Sequence, residues 1–152
     1  MKAISRTLAL ALALVGATGL HAEEKHKVFL SMSYIGNDWQ AEAANMVKAM
    51  AAHKSLADKV DLQVQVAGPN AQRQIQQINA MVQAGADAIV VFPISPTALN
   101  QVVKNACDKG VKVFAYDAEI TEPCAYNISI DQEEAGRVTA QWLADKLGGK
   151  GD

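Results

Sequence analysis

The chain has 152 residues, half of them apolar and 20% charged, with a formal net charge of −2. That composition belongs to a folded domain rather than a disordered segment, and the length suits about one of them. So mild an acidic balance argues against a nucleic-acid partner, whose phosphates call for a basic face.

The chain opens with Lys2 and Arg6, then the uninterrupted apolar run Leu8 to Val15, then small residues. This is the pattern of a bacterial secretory signal peptide spanning residues 1–22, cut after Ala22, or after Gly19 because Leu20 is large for its place before the cut. A transmembrane anchor would need about 20 apolar residues, more than this run supplies. Removing Lys2 and Arg6 leaves 12 basic against 16 acidic residues.

After a polar lead-in, Lys27 to Ser33 reads as the first strand, running into Tyr34-Ile35-Gly36-Asn37-Asp38-Trp39. Gly36-Asn37-Asp38 is turn chemistry, and Asn37 or Asp38 suits the cap of the helix that follows. From Trp39 to about His53, Ala43, Met46, Val47 and Met50 recur at helical spacing and form the expected inner stripe. Val60 to Val66 alternates strictly, which marks a strand near a sheet edge with one wet face. Gly68-Pro69-Asn70 closes it and caps a helix carrying Ile75, Ile78 and Val82, which ends at Gly85.

Ala88-Ile89-Val90-Val91-Phe92 contains no polar side chain. A strand with one wet face would alternate; this one must be covered on both faces, as in the middle of a parallel sheet. Pro93 ends it, having no backbone donor for a central strand. Ser95-Pro96-Thr97 starts the next helix, with Leu99, Val102, Val103 and Ala106 inward and Gly110 as its stop. Val111 to Tyr116 is a fourth strand ending at Asp117, and Tyr126 to Ile130 a short fifth ending at Asp131. The last helix, about Glu133 to Leu147, is expected to bury Val138, Trp142 and Leu143. Strand and helix alternate with short connections, so the expected fold is α/β, a doubly wound parallel sheet with helices on both faces.

Cys107 and Cys124 are the two cysteines of an exported chain, and an oxidising compartment makes a disulfide the default. The late part of a helix and the residue before a strand lie on the same side of such a sheet, so the bridge fits the layout. No CxxC and no Cys/His spacing calls for zinc, and His21, His26 and His53 form no metal pair, so no metal is expected. No GxGxxG follows the first strand, Gly148-Gly149-Lys150-Gly151 ends a helix rather than starting one, and no serine sits in a nucleophile elbow. Neither a cofactor nor an enzyme is expected.

Open α/β sheets bind ligands outside the carboxyl ends of their strands. There lie Asn37, Asp38 and Trp39, then Ser95, Asp117 and Asp131. A carboxylate accepts two hydroxyl hydrogen bonds, and an indole face covers the apolar face of a sugar ring, so the set suits a small polyhydroxylated ligand. Each has a plainer reading: Asn37, Asp38 or Asp131 as a helix cap, Trp39 as core. Tyr34 and Phe92 face either the crevice or the core. Asp117, directly after an apolar strand, has no partner within its own segment.

These residues carry a resemblance. The stretches Ser33 to Trp39, Ala84-Gly85-Ala86-Asp87-Ala88-Ile89, Pro93, Gly110-Val111-Lys112-Val113 with Asp117, and Asp131 with Gly136 resemble the N-terminal part of the periplasmic sugar-binding proteins of ABC importers, the type I cluster typified by ribose-binding protein. The resemblance spans essentially the whole chain after the signal peptide. It implies sugar contacts from Asn37, Trp39 and Asp117, an ABC permease in the inner membrane as partner, a chemoreceptor as a further one, and a monomer when complete. Two departures bear on sugar identity: Ala118 stands where the family often has arginine, and Phe92 where it often has asparagine. Family members have two lobes, which implies residues 23–130 as the N-terminal lobe and residues 131–152 as the start of a truncated second one. A half-cleft would bind sugar very weakly, and Trp142 would be poorly buried. The alternatives are a sensory binding protein of the same fold, a periplasmic flavodoxin-like enzyme, and a repressor, which would begin with a helix-turn-helix instead of a signal peptide.

Overall fold

The computed structural model describes residues 24–150, so the expected signal peptide lies outside the described residues. Nine elements follow in strict order: β1 (His26–Met32), α1 (Asp38–Ala52), β2 (Val60–Val66), α2 (Ala71–Gln83), β3 (Ala88–Phe92), α3 (Asn100–Asp108), β4 (Lys112–Tyr116), β5 (Tyr126–Ile128) and α4 (Gln132–Leu147). All strand pairs are parallel, in the order β2-β1-β3-β4-β5. The strand order reverses between β1 and β3, which makes their carboxyl ends the switch point where such sheets open a crevice.

The sheet is covered on both faces because its strands carry apolar residues on both. Phe29, Ile89, Val91, Val113 and Ala115 pack under α2 and α3, against Ile78, Met81, Leu99, Val103 and Ala106. On the other face Leu30, Met32, Val64, Val66 and Val90 pack with Ala44 and Val47 of α1. β3 lies in the middle, and β2 is an edge as its alternation implied. Two helices end alike: Gly85 and Gly110 take φ of 80° and 86°, and the next amides, of Ala86 and Val111, reach back to the carbonyls of Met81 and Ala106. Glycine stops both because that left-handed step costs other residues about 1–2 kcal/mol.

Four expectations are corrected. In α1 the inner residues are Gln40, Ala44 and Val47, while Met46 and Met50 are exposed. The helix is rich in alanine all round, so its apolar face is ambiguous in sequence and its angle of approach to β1 and β2 decides. The regular part of α3 begins at Asn100 rather than at Ser95-Pro96-Thr97. Ser95 Oγ accepts from the amides of Thr97 and Ala98 and caps a turn, and the Pro96 carbonyl is diverted to the amide and hydroxyl of Thr121. β5 ends at Ile128, two residues short of Ile130. Finally, Val138 and Leu143 are exposed, because no described element packs on α4; Trp142, 60% exposed, is as poorly buried as expected.

The two cysteines are bridged, with Cα atoms 6.4 Å apart and a sequence separation of 17. The bond ties the end of α3 to the loop entering β5, at the amino ends of the strands and far from the crevice. Both sulfurs pack against the larger core cluster. The loop from β4 to β5 is clasped a second time by Asn127, whose side-chain amide donates to the Ile120 carbonyl and accepts from the Ile120 amide, both at 2.9 Å.

Candidate functional site

At the carboxyl ends of the strands, α1 starts where β1 stops. Asn37, extended at φ −126°, caps it: its Oδ1 accepts from the Gln40 amide at 2.8 Å. Asp38 sits exposed in the first turn, where the helix dipole favours a negative charge. Capping sets the angle of the first turn, and that turn presents Trp39 and Gln40 toward β4.

Asp117 receives both. Trp39 Nε1 donates to Asp117 Oδ2 at 3.2 Å, and Gln40 Nε2 donates to the same oxygen at 3.1 Å. The partner absent from the acid's own segment is therefore supplied by α1, 77 and 78 residues earlier. Among the described residues Oδ1 has no protein donor, and Asp117 lines a groove of about 600 Å³ together with Glu119, Ser129, Ile130, Asp131 and Gln132. Trp39 is 64% exposed, so its ring is not core.

The backbone at Asp117 is unusual. Its φ of 64° is the sole positive value among the described non-glycine residues. The Ala118 amide returns to the Tyr116 carbonyl at 2.7 Å, closing a three-residue turn around Asp117, while the Asp117 amide donates to the Ile128 carbonyl at 3.1 Å. Turns of this kind with positive φ are rare and strained. Strain of about 1–3 kcal/mol is retained where surrounding contacts over-determine it, and such places gather at ligand sites.

Three residues that sequence reasoning missed hold this arrangement. Gln40, 2% exposed, is satisfied at both ends: its Oε1 accepts from the Tyr116 hydroxyl at 3.1 Å. Burial, and secondarily the Asp117 carboxylate, pushes the Tyr116 phenol up to about 12, so the hydroxyl is a donor at neutral pH. The Phe92 ring leans on Tyr116 with centroids 5.7 Å apart. Gln74, fully buried on α2, donates to Ser31 Oγ and to the Phe92 carbonyl and accepts from the Ile94 amide at 3.0 Å. It thereby pins the chain where Pro93 offers no donor. The signal was present: Gln40 is in phase with Ala44 and Val47, and Gln74 with Ile78 and Met81. A polar residue on a buried helical stripe needs partners, and here those partners are the site.

The residues proposed from sequence divide accordingly. Trp39 and Asp117 are in contact, and Phe92 joins them through Tyr116. Asp131 borders the same groove, but its Oδ1 accepts from the Glu134 amide at 2.9 Å and caps α4. Asn37 acts through its cap, and Asp38 stays apart in solvent. Tyr34 is exposed on the same loop, its ring folded over Gly36, where a β-carbon would strike it. Among the described residues no group of histidine, cysteine and acidic side chains is arranged to hold a metal.

Known proteins share this arrangement of elements. Residues 28–152 match the family model described as periplasmic binding protein domain. The chain is 37% identical to the D-xylose-binding periplasmic protein of Escherichia coli over 108 residues, covering 70% of this chain and 31% of that protein. It is 34% identical over 147 residues to a multiple sugar-binding periplasmic protein of Azospirillum brasilense, covering 91% of this chain and 40% of the relative. Among solved structures, a periplasmic ribose ABC transporter protein of Conexibacter woesei superposes with a TM-score of 0.71 at 25% identity, covering 86% of this chain and 42% of the other. The chain thus spans well under half the length of each of these relatives. With the sheet order, the switch-point crevice and a family match over most of its length, the chain belongs to the periplasmic binding protein domain family.

Proposed function

We propose that this lobe is the N-terminal half of a periplasmic solute receptor that captures a monosaccharide or similar polyol and delivers it to an ABC permease in the inner membrane. The observation that carries the reading is the Trp39–Asp117 pair, 3.2 Å apart at the carboxyl ends of the strands, with Asp117 lining the groove and its second oxygen without a protein donor among the described residues. Asp117 Oδ1 accepts hydroxyl hydrogen bonds from the ligand, while the indole, its N–H already engaged, offers its face to the ring's C–H side. The relatives named above bind xylose or several sugars, which supports this ligand class. No bond of the ligand is made or broken.

A second lobe completes the cleft. Small-ligand sites bury about 70–90% of the ligand, and one open groove does not. Hinge closure of two lobes does. The relatives' greater length supports this division, with residues 23–130 as one lobe and α4 as the first helix of the next. So do the exposed apolar side chains of Ile128, Ile130, Val138, Trp142 and Leu147.

The test is calorimetry with a panel of pentoses, hexoses and polyols, on this chain and on the product of its gene read past Asp152. This chain is expected to bind millimolar or weaker, the longer product micromolar, and Asp117→Ala to abolish the binding. Micromolar binding by the 152-residue chain alone would refute the two-lobe reading. No binding by the longer product would refute the sugar reading.

A further inference from the structure

Among the groups around the crevice, one has a geometry that sugar contact alone does not explain. Gln40 is buried, yet its side-chain amide is the only link between the Tyr116 hydroxyl and the Asp117 carboxylate among the described hydrogen bonds. A carboxylate accepts and never donates, so the amide nitrogen must face Asp117 and its oxygen must face Tyr116. The relay therefore runs one way: Tyr116 O–H to Gln40, Gln40 N–H to Asp117.

From this geometry, and resting on the reading of the crevice as a ligand site, we propose that Gln40 is the positioning residue of the cleft: it holds Asp117 by Oδ2 so that Oδ1 is presented to the ligand. Four observations converge. Trp39 and Gln40 both donate to the same oxygen and leave the other open. The backbone at Asp117 is held at φ 64°, a conformation that needs outside support. Gln40 is itself fixed, its amide by the Asn37 cap and its side-chain oxygen by Tyr116. And Trp39, 64% exposed, is held by far less packing than buried Gln40. Specificity follows from the split of roles. Oδ2 is spent inside the protein, so the ligand meets one acceptor oxygen in one direction rather than a swivelling carboxylate.

The indole N–H resonance of Trp39 reports the arrangement without any ligand, and Trp142→Phe separates it from the second tryptophan. In Gln40→Leu that resonance is expected to move to the position it takes in Asp117→Ala, with the amides of β1 and β3 unchanged. Tyr116→Phe is expected to move it part of the way. Gln40→Glu supplies the readout that a purely structural role would not shift, and covers the case in which the leucine variant does not fold. A protonated carboxyl reproduces the amide, accepting from Tyr116 and donating to Asp117. Burial and the neighbouring carboxylate raise the pKa of such a group; the ionisable groups that meet it are Tyr116 from β4 and Asp117 just after it, with exposed Asp38 on its own helix. The variant is therefore expected to match the wild-type indole position at low pH and to lose it in one added titration step as pH rises. An unmoved Trp39 resonance in folded Gln40→Leu, or a Gln40→Glu spectrum without the added step, overturns the proposal. Failure of the sugar panel leaves these resonances as they are, and so overturns the ligand reading separately.

Discussion

The positive φ at Asp117 makes a quantitative prediction, because two substitutions there remove the same side-chain bonds and differ only in backbone freedom. Asp117→Ala and Asp117→Gly both leave Trp39 Nε1 and Gln40 Nε2 without their shared acceptor. What separates them is the turn. At φ 64° a β-carbon costs about 1–2 kcal/mol that glycine avoids. Against this, glycine frees the unfolded chain by about 0.4–1 kcal/mol. The glycine variant is therefore expected to be the more stable of the two by about 1 kcal/mol, the reverse of the usual order of alanine over glycine. In urea, with m of about 1–3 kcal/mol/M, the midpoints should differ by about 0.3–1 M. Circular dichroism and tryptophan fluorescence should report the same midpoint if the transition is two-state. Neither variant should bind sugar. Equal midpoints, or alanine above glycine, would mean that the three-residue turn relaxes once the carboxylate is gone; the acid would then be holding the turn rather than the turn holding the acid, and the stored strain would not exist.

Reducing the Cys107–Cys124 bridge, or replacing both residues with serine, should cost about 3 kcal/mol by chain entropy for a loop of this size, read from denaturation with and without reductant; no loss would remove the bridge as a stabilising element. Gln74→Leu should cost about 1–3 kcal/mol, because the Ile94 amide loses its acceptor in a site closed to water; a neutral result would mean that water replaces it. The Tyr116 phenol is raised to about 12 in the fold from its ordinary 10. Below pH 10 both states keep the proton, so the contribution is whole there; between 10 and 12 the unfolded chain releases it and the folded one does not, so stability falls as pH rises. Tyr116→Phe should flatten the alkaline limb of the stability curve, and an unchanged slope would assign that limb to other groups.

Several features of this fold were legible residue by residue because their causes are local. An unbroken apolar run cannot show one face to water, which put β3 in the sheet's interior. Strict alternation put β2 at an edge. Asn70 and Asn37 each cap a helix through one side-chain oxygen three residues upstream of the amide it accepts, and Gly85 and Gly110 end theirs because a left-handed step excludes most other residues. The pairing of Cys107 with Cys124 followed from two cysteines in an exported chain, on segments that reach the same end of the sheet.

The remainder needed the third dimension. Which side of α1 faces inward is not written in a helix with alanine on every side; the crossing over β1 and β2 chose Gln40, Ala44 and Val47 and turned Met46 and Met50 outward. Helical periodicity in α4 marks an apolar face but cannot say whether anything covers it. Asp117 looked partnerless because its donors lie on another element, whose first turn the packed sheet brings beside the end of β4. Local pattern decides what each segment becomes, since it depends on neighbours a few residues away; only the packed sheet decides which distant side chains meet, and the site is made of those meetings.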